Sequence, residues 1–293
     1  MSDMAGEAAS SPGPVRARAL RRIQLLRAAG LYAGLSVVAI LVVFPLLYAL
    51  ATSLLTAGEA AAYPPRLLPS GLRVENYLQA LRQAPLPRYL LNSVIQSASV
   101  TLGQLATASL AGFAFAFLQI PGKQFLFFVF LATLMIPWEA TIIPNYLLIR
   151  SMGWADTYQG LTVPFLATAF GTFLLRQFFM TIPKDLYDAA TIDGCGSFRF
   201  LTTIALPLAR PALGTLAVYA FLQTYNQYLW PLLITSNAHM RTVQIGIALL
   251  QDEERFALNV VMAGVVIVLL PTFVLFALGN RQLIRGLTAG AFK

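Results

Sequence analysis

Asp185-Leu186-Tyr187-Asp188-Ala189-Ala190-Thr191-Ile192-Asp193-Gly194-Cys195-Gly196-Ser197, running on through Phe200, Ile204 and Leu206-Pro207 to Arg210-Pro211, is the stretch on which the reading of this chain turns. It is a polar loop set inside an apolar chain. The 293 residues are 58% hydrophobic and 11% charged, with a mean hydropathy of +0.70. A soluble domain carries about a quarter charged residues. Composition therefore predicts an all-α polytopic membrane protein and excludes a globular enzyme with a large core. The formal charge of +8 is spread over the ends of apolar runs rather than gathered in one patch, so it reads as membrane topology and not as nucleic-acid binding.

A membrane helix needs about 20 mostly apolar residues. Charges divide the chain into six such runs, about 30–55, 89–118, 124–149, 157–182, 209–235 and 257–280. Pro45, Pro137, Pro144, Pro164, Pro231 and Pro271 fall inside them and are expected as kinks. Residues 1–29, rich in Ala, Ser, Pro and Gly, are expected to form a disordered cytosolic tail. Residues 30–293 then form one six-helix domain with a loop at 183–208. The uncharged run from Ala28 to Gly58 exceeds the core of a signal peptide, roughly 7–15 residues, and is expected to be a retained helix. Six spans place both termini on one side. If that side is the cytosol, it holds thirteen of the twenty Lys and Arg, and the excess fixes it as the inner one. The 183–208 loop falls on that side.

Within the loop, Pro183 suits the first turn of a helix, and Lys184 to Thr191 reads as about two turns. Leu186, Ala189 and Ala190 share one face by i, i+3, i+4 spacing, and Asp185 and Asp188 share another. Gly194 and Gly196 supply a break. Ser197 is then placed to cap a second helix carrying Phe198, Phe200, Leu201 and Ile204 toward Pro207. A short amphipathic helix can simply lie on the bilayer. Here the apolar face is small, a poor anchor but a good knob for a groove in another protein.

The ordered set Asp188-Ala189-Ala190, Asp193-Gly194, Phe200, Ile204, Leu206-Pro207 and Pro211 resembles the "Glu-Ala-Ala" loop of ABC importer permeases. Asp188 stands where that family usually has Glu. The resemblance implies that Leu186, Asp188, Ala189, Ala190, Asp193 and Gly194 couple the chain to an ATPase. It also implies a second permease subunit, two ATPase domains, an extracytoplasmic solute-binding protein and a place in the bacterial cytoplasmic membrane among its lipids. Asn226-Gln227-Tyr228-Leu229-Trp230-Pro231, Arg241-Thr242-Val243 and the run from Arg281 to Ala291 follow the maltose-type subgroup, which imports sugars and glycerol-3-phosphate. The first of these looks most like glycerol-3-phosphate permeases, and the tail from Arg281 would reach toward the ATPase dimer. No Gly-x-x-x-x-Gly-Lys-Ser/Thr loop is present; Gly122-Lys123 lacks the upstream glycine and is followed by Gln124. The chain is thus expected to bind no cofactor and to perform no catalysis, ATP and Mg being used by the partner ATPase.

Polar groups inside apolar spans are functional candidates by default. Glu139 is the clear ionisable case, and Gln223, Asn226, Gln227 and Tyr228 are expected at similar depth, with Trp138, Tyr225 and Trp230 around them. One reading is a ring lining the solute path, amides bonding hydroxyls and aromatic faces packing on C–H surfaces. The other is ordinary: aromatic anchors at the interface and a carboxylate that caps or pairs within the bundle. No Lys or Arg is expected at this depth, so a neutral sugar and a phosphate ester both stay open. Gly103, Thr107 and Ala111, four apart, allow close helix approach, either within the chain or to a second permease. Cys195 and His239 are each alone and give no metal pattern. A secondary transporter or channel without an ATPase would show paired broken helices in inverted repeats and leaves the Asp-Ala-Ala loop unexplained. A membrane enzyme needs a nucleophile–base or metal constellation that these residues do not form.

Overall fold

A computed structural model describes residues 14–64, 66–251 and 257–288, with side chains from 25 to 277 and at 279. Every regular element among them is helical. In chain order these are α1 (Pro14–Thr52), α2 (Ala57–Ala60), α3 (Glu75–Gln83), α4 (Leu86–Phe117), α5 (Lys123–Ala132), α6 (Trp138–Ser151), α7 (Tyr158–Thr162), α8 (Ala169–Phe179), α9 (Lys184–Ile192) and α10 (Ser197–Phe200). There follow α11 (Leu206–Leu208), α12 (Arg210–Tyr225), α13 (Leu229–Ile234), α14 (Val243–Leu250) and α15 (Leu258–Thr288).

Three apolar stretches are unbroken and long enough to span: Leu25–Thr52, Leu86–Phe117 and Leu258–Ala277. The other expected spans are broken rather than merely kinked, and each break has a local cause. Lys123–Met135 meets Trp138–Ser151 at 94°. Ile136 precedes Pro137, the proline ring excludes the helical region there, and both residues are extended. Tyr158–Phe165 meets Ala169–Phe179 at 46°, with Pro164 in a tight turn and Thr168 extended. The run expected at 209–235 is helical only to Tyr225, breaks at Asn226-Gln227-Tyr228, and restarts as α13. Pro231 is tolerated at that restart because the N–H groups of a first turn need no helical acceptor. The loop before α12 is itself helical from Ser197 to Leu208 and lies at 81° to α12. It contains a wide π turn, Leu201–Ala205.

The first helix also begins earlier than its apolar run. α1 starts at Pro14, so residues 14–29 are helical and not part of a tail; residues 1–13 lie outside the described chain, as do 289–293 of the C-terminal segment. From Leu25 to Leu47 its apolar side chains are largely exposed, and α1 joins the bundle only near its end through Ala49 and Thr52.

α4 is the spine. Its 32 residues extend about 48 Å at about 1.5 Å each. At one end Leu86 and Tyr89 pack with Tyr225, Val243, Leu250 and Val261. At the other, Phe113 joins Leu175, Phe179, Phe200 and Leu216. A third cluster, Ile142, Ile149, Leu161, Trp230 and Ile234, holds α6, α7 and α13 together. The small-residue stripe on α4 packs within the chain. A Cβ at Gly103 would meet Leu166 Cδ2 at 2.5 Å, and Thr107 Oγ1 donates to the Leu166 carbonyl at 2.8 Å.

Candidate functional site

The three breaks converge beside the middle of α4 and leave a cavity of about 570 Å³. Its wall carries Glu139, Gln223, Asn226, Gln227 and Tyr228, so the polar residues expected to share a depth do come together. Glu139 lies in the first turn of α6, where unpaired N–H groups favour a negative charge. Among the described residues it forms no ion pair. Gln223 Nε2 donates to the Tyr219 hydroxyl at 3.0 Å. Asn226 Nδ2 donates to the Leu222 carbonyl at 2.8 Å, while its Oδ1 accepts from Gln244 at 3.3 Å. Trp138 and Phe165 contribute aromatic faces, and the wall contains no Lys or Arg.

The broken turns expose carbonyls that a continuous helix would have used, and α4 supplies the donors. Gln96 Nε2 reaches the Leu161 carbonyl at 3.2 Å, and Gln104 Nε2 reaches that of Phe165 at 2.9 Å. Pro164 has no N–H to give Gly160, four residues back. The indole N–H of Trp230 takes that place at 3.1 Å. Trp230 is 1% exposed, so it is a structural strut, neither an interface anchor nor a residue of the solute wall. Tyr225 is likewise buried, its hydroxyl donating at 2.8 Å to the Val268 carbonyl, in the turn that Pro271 disturbs. Sequence reasoning passed over Gln96 and Gln104. Their signal is nonetheless there: Gln96, Gly103, Gln104 and Thr107 recur at i, i+7, i+8 and i+11, one side of a helix.

Thirteen residues of α4, about 20 Å, separate Gln104 from Phe117, where the polar loop packs. Tyr187, on α9, packs among Phe113, Phe117 and Phe200, edge-on to the first and last, with ring centroids at 6.2, 5.1 and 4.9 Å. Its hydroxyl pairs with Ser197 Oγ at 2.8 Å. Ser197 is therefore a latch between α9 and α10; the N-cap of α10 is Gly196, with no side-chain cap bond. The rings also decide the faces of α9. Ala190 turns inward against the core and does not share the outer surface with Leu186 and Ala189. The exposed face instead runs Leu186, Ala189 and Ile192, with Asp185, Asp188 and Asp193 alongside. Ile192, 87% exposed, was not singled out from sequence. α9 ends in a Schellman motif: Gly194 N–H donates to Thr191 O at 3.0 Å and Cys195 N–H to Ala190 O at 2.9 Å. Gly194 has φ of +77°, the left-handed conformation this cap requires.

His239 is used through its backbone, its carbonyl accepting from Arg88 Nε and Asn92 Nδ2. No metal-ligating cluster occurs among the described residues.

Comparison with known proteins places the whole chain rather than its site. Residues 104–285 match the family described as binding-protein-dependent transport system inner membrane component. The chain belongs to that family. It is 37% identical over 257 residues to the sn-glycerol-3-phosphate transport system permease protein UgpE of Brucella abortus (strain 2308), covering 85% of this chain and 91% of that protein. The protein of the same name from Escherichia coli O6:K15:H31 (strain 536 / UPEC) is 37% identical over 254 residues, covering 84% and 90%. The fold matches a bacterial ABC transporter involved in the import of the acidic polysaccharide alginate, with a TM-score of 0.76 over 90% of this chain and 97% of that one, at 20% identity. The chain is thus a non-catalytic permease subunit of an ABC importer, an inner membrane component.

Proposed function

We propose that this permease forms half of a path for a small hydroxylated solute, with sn-glycerol-3-phosphate, which the relatives' names carry, as the first candidate. The observation that supports it is the cavity halfway along α4, walled by amides, aromatic faces and one carboxylate. Such a wall bonds hydroxyls in both directions and packs on C–H surfaces. A phosphate group favours Arg, Lys or helix N-termini. The second permease subunit would supply that cation, since this wall has none. The α9 loop faces the cytosol in this reading, with both termini, and its exposed face seats on one of two ATPase domains, while an extracytoplasmic protein delivers the solute at the opposite end.

Uptake of labelled sn-glycerol-3-phosphate, maltose and glycerol by the reconstituted complex tests the path. Glu139→Gln and Asn226→Ala should each lower the maximal rate about tenfold, the scale of one or two lost hydrogen bonds, while the subunits still co-purify. Wild-type uptake by both variants would make these packing residues. Nucleotide is expected to bind only the partner ATPase, so equilibrium dialysis of this purified chain against ATP and Mg should show no saturable binding.

A further inference from the structure

Gln96 lies outside the cavity wall, 1% exposed within α4, yet one of its neighbours is Gln227, which is on that wall. Its amide nitrogen donates both to the Leu161 carbonyl at 3.2 Å and to Gln227 Oε1 at 3.0 Å. We infer that Gln96 is a specificity-positioning residue: through the Leu161–Gln96–Gln227 relay it fixes the Gln227 amide so that the cavity meets N–H donors, not a carbonyl oxygen, at that point. The inference rests on the reading of this cavity as a solute path.

The orientation follows from what each atom can do. A backbone carbonyl only accepts, so the nitrogen of Gln96, not its oxygen, must face Leu161. That nitrogen has two hydrogens, and the second points at Gln227. The atom receiving it must be Oε1, because a nitrogen there would oppose donor to donor. The NH2 of Gln227 is thereby turned to the other side of its amide. The Leu161 carbonyl is available because the helix tightens into a 3₁₀ turn at Val163–Phe165, so the break itself dictates the polarity of a residue 66 positions away.

The same turn also fixes a second amide of α4. Gln104 Nε2 is committed to the Phe165 carbonyl, which leaves Gln104 Oε1 buried without a partner, on a side chain of the cavity wall. Glu139 adds acceptor oxygens. The cavity therefore offers donors at Gln227 and acceptors at Glu139, while the Gln104 oxygen stays buried behind the wall. A polyol or its phosphate monoester fits this division, its hydroxyl hydrogens going to the acceptors and an oxygen lone pair to Gln227. An aliphatic solute of equal size would leave each of these groups without a partner, which is the strongest form of discrimination a polar pocket has.

The test is a double-variant cycle on the complete reconstituted transporter, read as maximal uptake of sn-glycerol-3-phosphate at saturating loaded binding protein. Gln227→Leu and Gln96→Leu should each reduce uptake about tenfold. At equal amounts of assembled complex, the double variant should fall no further than either single one, because Gln96 reaches the cavity only through Gln227. Gln227→Glu keeps an acceptor for Gln96 and so keeps the relay, but turns an oxygen into the cavity. It should assemble normally and transport no better than Gln227→Leu, which keeps the inference testable even if Gln96→Leu fails to fold. A multiplicative loss in the double variant would show that Gln96 is only a tie across the helix break and would overturn the inference while leaving the path reading intact. Wild-type uptake by Gln96→Leu beside an impaired Gln227→Leu would do the same. Wild-type uptake by Gln227→Leu and Gln227→Glu would overturn both.

Discussion

Trp230→Ala should abolish uptake by destroying the packing of the broken span, and Trp230→Phe should weaken it. Truncating a fully buried large aromatic costs about 3–5 kcal/mol, part of it the cavity left behind. The ring of Trp230 packs edge-on against Phe165 with centroids at 5.8 Å and lies in the cluster with Ile142, Ile149 and Leu161. Losing it detaches α6 and α7 from α13. The indole N–H has its own task, standing in for the N–H that Pro164 lacks at the Gly160 carbonyl. Phe keeps one aromatic ring but loses the donor with the rest of the indole, leaving a buried carbonyl unpaired at about 1–3 kcal/mol and a smaller void than alanine leaves. The order expected in a thermal-stability assay of the detergent-purified complex is wild type, then Trp230→Phe, then Trp230→Ala. An alanine variant that melts and transports like wild type would remove Trp230 from the structural role assigned to it.

This strut shows where sequence reading reached and where it stopped. The unbroken spans around Leu25–Thr52, Leu86–Phe117 and Leu258–Ala277 were legible because long uncharged runs in a membrane protein have one stable solution. Prolines in the other runs were legible as kinks. Their conversion into breaks was not, because a break persists only if distant donors satisfy the freed carbonyls. Gln104 and Phe165 are 61 residues apart, and Trp230 and Gly160 are 70. No local pattern encodes those pairs. The cavity was half legible for a similar reason. Glu139, Gln223 and Asn226 to Tyr228 stand out as polar residues in apolar surroundings, and they do meet. Gln96 and Gln104 stand out equally, yet their importance lies in which carbonyl each faces. On α9 the i, i+3, i+4 rule grouped Ala190 with Leu186 and Ala189. The packing of Tyr187 among three phenylalanines sets the helix so that Ala190 looks inward and Ile192 outward.

That rotation sharpens the expected behaviour of the α9 loop as the proposed joint with an ATPase. Gly194→Val places a β-branched residue at φ of +77°, a strain of about 1–3 kcal/mol, and it should unwind the two Schellman bonds that end α9. Without a fixed end, the outer face of Leu186, Ala189 and Ile192 loses its register against a partner groove. Uptake and solute-stimulated ATP hydrolysis should fall together by about tenfold or more, as for a lost interface anchor, while the external protein binds solute normally. Asp188→Lys should act in the same direction by reversing a charge on the exposed face, and Asp188→Glu should be tolerated. Enlarging Ala190 is a different experiment. It overpacks the Phe113, Phe117 and Phe200 core of this chain at about 1–3 kcal/mol, so it should lower stability before it touches the partner. Cysteine cross-linking separates the two faces in a Cys195→Ser background. Cysteines at Leu186, Ala189 and Ile192 should join the ATPase subunit, and one at Ala190, which turns inward, should not. If none of the outer positions cross-links while both subunits co-purify, α9 is not the joint. If a cysteine at Ala190 cross-links as readily as one at Ile192, α9 does not hold against the core as its ring packing requires, and a mobile helix without a fixed face could not transmit closure of the ATPase to the cavity about 20 Å away along α4.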